Sequence, residues 1–119
     1  MGFTMKKTLA LFSALIPLYS VAGFYNGNDL DYWASSLSKS NKGLPLTASN
    51  ESDASAFQGY VAGVYDTGEG VLFCPPERSA LKQMTDIVTD YLIKHPEKRN
   101  AQGADLVSIA LSEKFPCKK

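Results

Sequence analysis

The sequence predicts an all-α fold: a small four-helix domain in which one disulfide joins the start of helix 3 to the end of helix 4. Apolar residues recur at helical spacing in four separate stretches of the chain. Capping residues, glycines and prolines separate these stretches, as they do between helices. The two cysteines of the chain, Cys74 and Cys117, flank the third and fourth stretches. Together these observations favour a helical domain closed by one covalent bond.

The first helix is predicted to run from about residue 29 to residue 39. Asn28 or Asp29 can cap its start, and Gly43 is placed to follow its end as a C-cap glycine. Tyr32 and Trp33 are adjacent and cannot share one helix face, so one of them is expected to be exposed or used at an interface. The apolar stripe consists of Leu30, Trp33, Ala34 and Leu37.

The second helix is predicted to start at Ser52 or Asp53 and to end at a turn over residues 66–70. Its apolar stripe consists of Phe57, Tyr60, Val61, Val64 and Tyr65. Gly59 and Gly63 lie inside this pattern. Because glycine costs about 1 kcal/mol against alanine within a helix, the pair predicts close approach of another helix. A β-hairpin over residues 60–73 is an alternative, since valine, tyrosine and phenylalanine also favour strands.

The third and fourth helices are predicted from their caps and their apolar faces. Ser79 is predicted as the N-cap of helix 3, and His95 ends that helix because the residue before Pro96 avoids helical angles. Asn100 is predicted to cap helix 4, which Pro116 terminates. The apolar faces consist of Leu81, Met84, Ile87, Val88, Tyr91 and Leu92 in helix 3, and of Leu106, Val107, Ala110, Leu111 and Phe115 in helix 4.

The N-terminal segment is typical of a secretory signal peptide. Lys6 and Lys7 precede an apolar run over residues 8–16, and small residues end at Ala22. We therefore expect residues 1–22 to be removed by cleavage between Ala22 and Gly23, which leaves a single helical domain over residues 23–119 in the periplasm. An N-terminal helix or a membrane anchor is the alternative. The run is shorter than the ~20 residues that span a bilayer, so no membrane anchor is expected.

The charge of the predicted mature domain indicates neither nucleic acid nor a membrane surface as a partner. Without Lys6 and Lys7, ten basic side chains stand against twelve acidic ones. Residues 23–77 are mainly acidic, whereas residues 78–119 are mildly basic. Such a division of charge usually reflects solvent-exposed helix faces, although it can also steer the approach of a charged partner.

The cysteines predict a disulfide in preference to a reactive thiol. Cys74 precedes a helix start, where the dipole can lower a thiol pKa, and His95 is the only histidine. The two residues lie at opposite ends of helix 3, however, about 24 Å apart at ~1.5 Å per residue. An exported chain with an even cysteine count favours pairing of Cys74 with Cys117, and free thiols are a lesser alternative. No catalytic residue, metal site or cofactor site is expected.

An ordered set of motifs resembles a known family. The motifs are Gly59-Tyr60-Val61-x-Gly63-Val64-x-Asp66, Phe73-Cys74-x-Pro76, His95-Pro96-Glu97 and Phe115-Pro116-Cys117. This set resembles the Rap/Tai immunity family of small periplasmic proteins that neutralise type VI secretion peptidoglycan amidase effectors. The resemblance covers about residues 57–117, and residues 23–56 match no motif. A further cysteine that many members carry before the Gly-Tyr pair is absent here.

The resemblance implies a helical, dimeric protein that binds an incoming amidase and covers its active-site groove. It does not imply which residues touch the effector. Our hypothesis places the contacts on two polar loops that can enter a cleft. These loops contain Asp66, Thr67, Gly68, Glu69 and Gly70, and His95, Lys98 and Arg99, respectively. The alternative function is that of an acid-stress chaperone of the Hde kind, which is also small, helical and held by one disulfide.

Overall fold

The computed structural model of the protein describes residues 23–118, and this part is all-α, as predicted. Four α-helices and one short 3-10 turn follow one another without a strand in this range. They are α1 (Gly27–Asn41), α2 (Ala48–Gly68), α3 (Leu81–Lys94), the 3-10 turn (Pro96–Lys98) and α4 (Gly103–Lys114). The predicted signal peptide, including Ala22, lies outside the described residues. No helix in the described range is both long and apolar enough to span a bilayer.

Helix α1 starts earlier than the sequence analysis predicted. Asn26 is the N-cap, and its Oδ1 accepts hydrogen bonds from the backbone N–H groups of Asn28 and Asp29 at 2.9 and 3.1 Å. The Asp29 carboxylate accepts from the Asn26 N–H at 2.9 Å, which completes a capping box. Asp29 is thus the third helical residue and not the cap. Gly43 follows the helix with a φ of 70°, which confirms its predicted role.

Helix α2 is a continuous helix, so the hairpin alternative is wrong. Its N-cap is Thr47, whose Oγ1 accepts from the Asn50 N–H at 3.0 Å. The predicted start at Ser52 or Asp53 is therefore wrong, because this earlier capping box satisfies the first N–H groups. The helix also continues through residues 66–68, so only the last part of the predicted turn is non-helical.

Two further caps differ from the predictions. Ser79 donates its hydroxyl hydrogen to the Pro76 carbonyl at 2.6 Å, and Ala80 is the N-cap of α3. Asn100 does not cap α4, because its Oδ1 accepts from the side chain of Asn28 at 3.1 Å. The predicted helix ends are confirmed: the C-cap of α3 is His95, and α4 ends one residue before Phe115.

One hydrophobic core joins all four helices and the connection between α2 and α3. Its largest fully buried side chains include Phe57 from α2 and Phe73 from the connection. Full burial of such a side chain stabilises a fold by roughly 1.5–3 kcal/mol. Of the adjacent aromatic pair in α1, Trp33 packs against the core while Tyr32 is 67% exposed, which confirms that one of the two faces solvent. Fastening Phe73 in the core fixes the connection that carries it.

The predicted disulfide between Cys74 and Cys117 is present. The Cα atoms of Cys74 and Cys117 are 4.8 Å apart, and the Cys74 N–H donates to the Phe115 carbonyl at 2.7 Å. Its position relative to the helices is only approximately as predicted. Cys74 lies in the connection before α3 and Cys117 lies just beyond the end of α4. The bond therefore fastens the α2–α3 connection to the C-terminal segment.

Candidate partner-binding surface

The connection after α2 forms a tightly bonded loop over Gly68–Cys74, which we call the stapled loop. The N–H groups of Val71 and Leu72 both donate to the Gly68 carbonyl, at 3.0 and 2.8 Å. The Gly70 N–H donates to the Phe73 carbonyl at 2.8 Å, and Gly70 has a φ of 81° that suits glycine. The buried Phe73 ring anchors the loop from below. Backbone bonds, a core anchor and the disulfide thus fix its shape.

The tip of the stapled loop is apolar. Val71 is 77% exposed and Leu72 is 54% exposed, although both are aliphatic. Apolar side chains held at the tip of a fixed loop are typical of protein-binding anchors. Val71 and Leu72 are not among the predicted contact residues, which lie in the acidic part of the turn. The available signal was three consecutive apolar residues, 71–73, in a short loop that can bury only part of them.

The residues of the first predicted contact loop have distinct positions around this tip. Asp66 and Glu69 are exposed and flank it with negative charge. Thr67 donates its hydroxyl hydrogen to the Gly63 carbonyl at 2.7 Å, as a helical residue. Gly68 is buried because the Phe73 ring lies against its Cα, where an added Cβ would be 2.8 Å from Phe73 Cε1. Only part of the predicted set is therefore accessible to a partner.

The second predicted contact loop is mostly occupied with contacts inside the domain. Arg99 donates from Nε to the Leu92 carbonyl at 2.8 Å and lies 3.5 Å from the Asp31 carboxylate. Its guanidinium therefore fastens α1 to the end of α3. The other two residues contact one ring: Lys98 Nζ lies 5.8 Å from the centre of the Tyr91 ring, and the His95 ring lies 4.4 Å from it. The Lys98 side chain is exposed, but Arg99 is committed to the fold.

The structure does not bring the two predicted loops together. Asp66 shares a hollow with Ser79 and Leu81 at the start of α3, whereas His95 caps the end of that helix. Fourteen helical residues separate the two ends, which corresponds to about 21 Å at ~1.5 Å per residue. The two loops are therefore too far apart to form one narrow binding tip. The stapled loop and the segment 95–99 are therefore two separate candidate contacts.

A groove of about 620 Å³ lies between α2 and α4, beside the stapled loop. It is lined by Gly59, Tyr60, Gly63, Val64, Thr67, Gly68, Leu72, Ala104, Asp105 and Ser108. The prediction that Gly59 and Gly63 allow close approach of another helix is wrong. A Cβ atom built on either glycine meets no other heavy atom within 4 Å among the described residues. These glycines instead form the open floor of the groove.

Polar side chains line the groove from both helices, and its charged group lies on α4. Asp105 is the only charged residue among the described residues that line it. Burial raises the pKa of the Tyr60 hydroxyl; a backbone hydrogen bond from Ala104 lowers this pKa in part, and the Asp105 carboxylate raises it further. Such a site can bind an apolar segment, and its one fixed charge favours a cation.

The described residues offer no group suited to metal or thiol chemistry. They contain no cluster of three or more histidine, cysteine or acidic side chains with metal-binding geometry. Both cysteines are in the disulfide, so the free-thiol and Cys–His hypotheses are wrong for this structure. A binding surface is what the geometry provides.

The family to which the chain belongs follows from a comparison with known protein families. A family model described as Rap1a immunity proteins matches residues 26–117. The chain belongs to this family. No protein with a curated description matches it. The match includes residues 26–56, for which the sequence motifs offered no counterpart, so α1 and the first part of α2 are part of the family domain.

Family membership assigns this Rap1a immunity protein a coarse function. An immunity protein acts by binding a cognate effector, which favours an inhibitor over an enzyme and over the acid-stress chaperone. Membership and the disulfide together also point to an exported protein. The candidate contacts are the stapled loop, the groove beside it and the separate segment 95–99.

Proposed function

We propose that this immunity protein binds a peptidoglycan amidase effector of type VI secretion and neutralises it by occluding the active-site groove. The family match carries the proposal, and the stapled loop supplies the means. Val71 and Leu72 enter the cleft as apolar anchors, while Asp66 and Glu69 accept hydrogen bonds at its rim. The exposed Lys98 at the other end of α3 makes a second, peripheral contact. No cofactor takes part.

The fixed shape of the stapled loop explains how a small tip can bind well. A loop that is mobile before binding loses conformational freedom when it docks, and this loss reduces affinity. Here three backbone hydrogen bonds, the buried Phe73 ring and the Cys74–Cys117 bond hold the loop before any partner arrives. Most of the contact energy of Val71 and Leu72 is therefore available for binding.

The proposed site of action is the periplasm. Sec-dependent export would remove residues 1–22 between Ala22 and Gly23, leaving a chain without a membrane anchor. The disulfide supports this compartment because structural disulfides persist under oxidising conditions. N-terminal sequencing of protein from the periplasmic fraction tests it: a mature chain that begins at any residue other than Gly23 contradicts the cleavage site.

The protein is further proposed to act as a homodimer. Tyr32 supports this proposal because α1 exposes 67% of this aromatic side chain, and aromatic residues are enriched at interfaces. We expect multi-angle light scattering to give the mass of two chains for the unmodified protein and of one chain for Tyr32→Glu. A single-chain mass for the unmodified protein would exclude the dimer, and a persistent dimer in the variant would exclude Tyr32 from its interface.

A binding assay with a matched pair of variants tests the effector proposal. The probe is a purified peptidoglycan amidase encoded beside the gene for this chain. We expect Leu72→Asp to weaken binding by at least about 30-fold, since a buried anchor contributes ~2 kcal/mol or more. Leu44→Asp is the control, because Leu44 is 50% exposed in another loop and Leu72 is 54% exposed.

Two results would contradict the proposal. Absence of binding between the unmodified protein and the amidase, by isothermal titration calorimetry at neutral pH, would refute the effector class. Binding without loss of hydrolysis on purified peptidoglycan would refute active-site occlusion. Equal affinities of Leu72→Asp and Leu44→Asp would remove the stapled loop from the interface and leave the function standing.

A further inference from the structure

The groove between α2 and α4 is continuous with the stapled loop. Leu72 contributes to the loop tip and also lines the end of the groove. A shallower hollow continues from Leu72 along α4 past Ile109, which is 44% exposed. Leu72 thus belongs to the loop tip and also lines both the groove and this hollow. A partner that seats the loop also reaches the groove.

Gly59 and Gly63 make the groove deeper than the packing of the domain itself requires. Gly59 and Gly63 lie in the middle of α2 with ordinary helical angles, so neither needs the left-handed region. Neither packs against another part of the described chain, since an added Cβ meets nothing within 4 Å. Glycine destabilises a helix relative to alanine. Internal packing gives no compensation for this, whereas close approach of a partner to the helix backbone would.

The charges around the groove favour a cationic partner. Asp105 lines the groove and Glu113 lines its continuation, and no basic residue is among the described residues that line either one. A symmetric dimer built on this groove would place two such acidic walls against each other, which is unfavourable. The arrangement is complementary to an apolar segment that carries a lysine or arginine.

We infer that the groove between α2 and α4 receives an apolar segment bearing a basic side chain from the effector, with the basic group opposite Asp105. This inference rests on the proposed function and adds a second contact to it. The stapled loop enters the effector, while the effector in turn enters the immunity protein. Such reciprocal insertion fixes the orientation of the complex, which a single apolar tip cannot do.

The steric test fills the groove without harming the fold. Gly63→Leu places a side chain in open space above α2, so the thermal midpoint is expected to stay the same or rise. Binding of the same amidase is expected to weaken by about tenfold or more because the segment is excluded. Gln58→Leu is the control: Gln58 is exposed on the same helix but does not line the groove.

The electrostatic test removes the charge of the groove. Asp105→Asn is expected to weaken binding by about fivefold or more at low salt, with a smaller difference at high salt. Asp86→Asn is the control, since Asp86 lies on α3 in an exposed pair with Lys82, 3.0 Å away, and does not line the groove. A salt-independent effect, or an equal effect of the control, contradicts the assigned role of Asp105.

The outcomes separate this inference from the function on which it rests. If the unmodified protein does not bind the amidase, both fail. If Leu72→Asp weakens binding while Gly63→Leu and Asp105→Asn bind normally, the groove inference is overturned and the function stands. If Gly63→Leu changes the mass in light scattering and leaves amidase affinity intact, a second copy occupies the groove, and the inference is again overturned.

Discussion

Loss of the Cys74–Cys117 bond should cost this protein a large part of its stability. The two cysteines are 43 residues apart in the chain. A loop of that size, closed in the unfolded state, lowers the unfolded-chain entropy enough to stabilise the fold by roughly 4 kcal/mol at 25 °C. Domains of this size have a total free energy of unfolding of only about 5–15 kcal/mol. At the lower end of this range, the bond therefore accounts for most of the free energy of unfolding.

The structure indicates which part of the fold would respond first. The disulfide holds the stapled loop beside the end of α4, where the Cys74 N–H donates to the Phe115 carbonyl at 2.7 Å. Phe73, next to Cys74 in the chain, is fully buried in the core, so we expect the loop that carries it to loosen first. For a domain of under 100 residues, 1 kcal/mol corresponds to roughly 4–8 °C in thermal midpoint. We therefore expect reduction to lower the midpoint by about 15–30 °C.

The assay is thermal unfolding followed by circular dichroism, with and without reductant. A thiol titration in parallel must show two reactive thiols after reduction and none before. The double variant Cys74→Ser with Cys117→Ser, measured without reductant, controls for effects of the reductant itself and should match the reduced protein. A midpoint that moves by less than a few degrees, with both thiols titrated, would refute the entropic argument for this fold.

Three further predictions concern single positions. Gly27→Ala should destabilise the fold by about 1–3 kcal/mol in urea unfolding, because its Cβ would lie 2.7 Å from Arg99 Cα. Gly59→Ala, in open space, should stabilise the fold by up to ~1 kcal/mol. If both substitutions changed the free energy of unfolding in the same direction, the described packing would be refuted. Thr47→Ala should cost about 1 kcal/mol by the same measurement, through loss of the N-cap bond to Asn50, and Ser52→Ala, at the wrongly predicted cap, should cost less. The pKa of Tyr60 is raised in the folded state, so it contributes stability below the unfolded pKa of about 10, and this contribution is lost as pH rises through the folded pKa. In urea unfolding over a pH series, the free energy of unfolding of Tyr60→Phe should therefore fall less at alkaline pH than that of the unmodified protein.

The sequence was sufficient to predict what depends on local pattern and on covalent chemistry. All four helices follow from apolar spacing, and the disulfide follows from the cysteine count in a chain with a predicted export signal. The helix starts were less predictable, because several residues near each start can accept from the first N–H groups. The start of α2 lies at Thr47 and not at Ser52, because the side chains of Thr47 and Asn50 each accept from the other's backbone N–H group.

Other features depend on which elements meet in space. Asn100 resembles a helix cap in sequence, yet its partner is Asn28, 72 residues earlier in the chain. Arg99 resembles an exposed charge in a turn, but it is bonded to the Leu92 carbonyl and lies beside Asp31. Gly59 and Gly63 predict a neighbouring helix, but no other helix of the described residues 23–118 packs against them. Each of these outcomes is set by tertiary packing that the local pattern does not encode.

The distribution of packing also locates the binding surface within the domain. At the start of α1 the backbone is paired and closely packed: the Gly27 and Asn28 N–H groups donate to the Ala101 and Arg99 carbonyls, and Gly27 has no room for a Cβ. Around the end of α2 the situation is reversed, since aliphatic side chains are exposed and two glycines weaken a helix without an internal reason. Because these residues lower the stability of the isolated domain, their presence is better explained by binding of an external partner. The α2–α4 side, with the stapled loop, is therefore the side that should meet the effector.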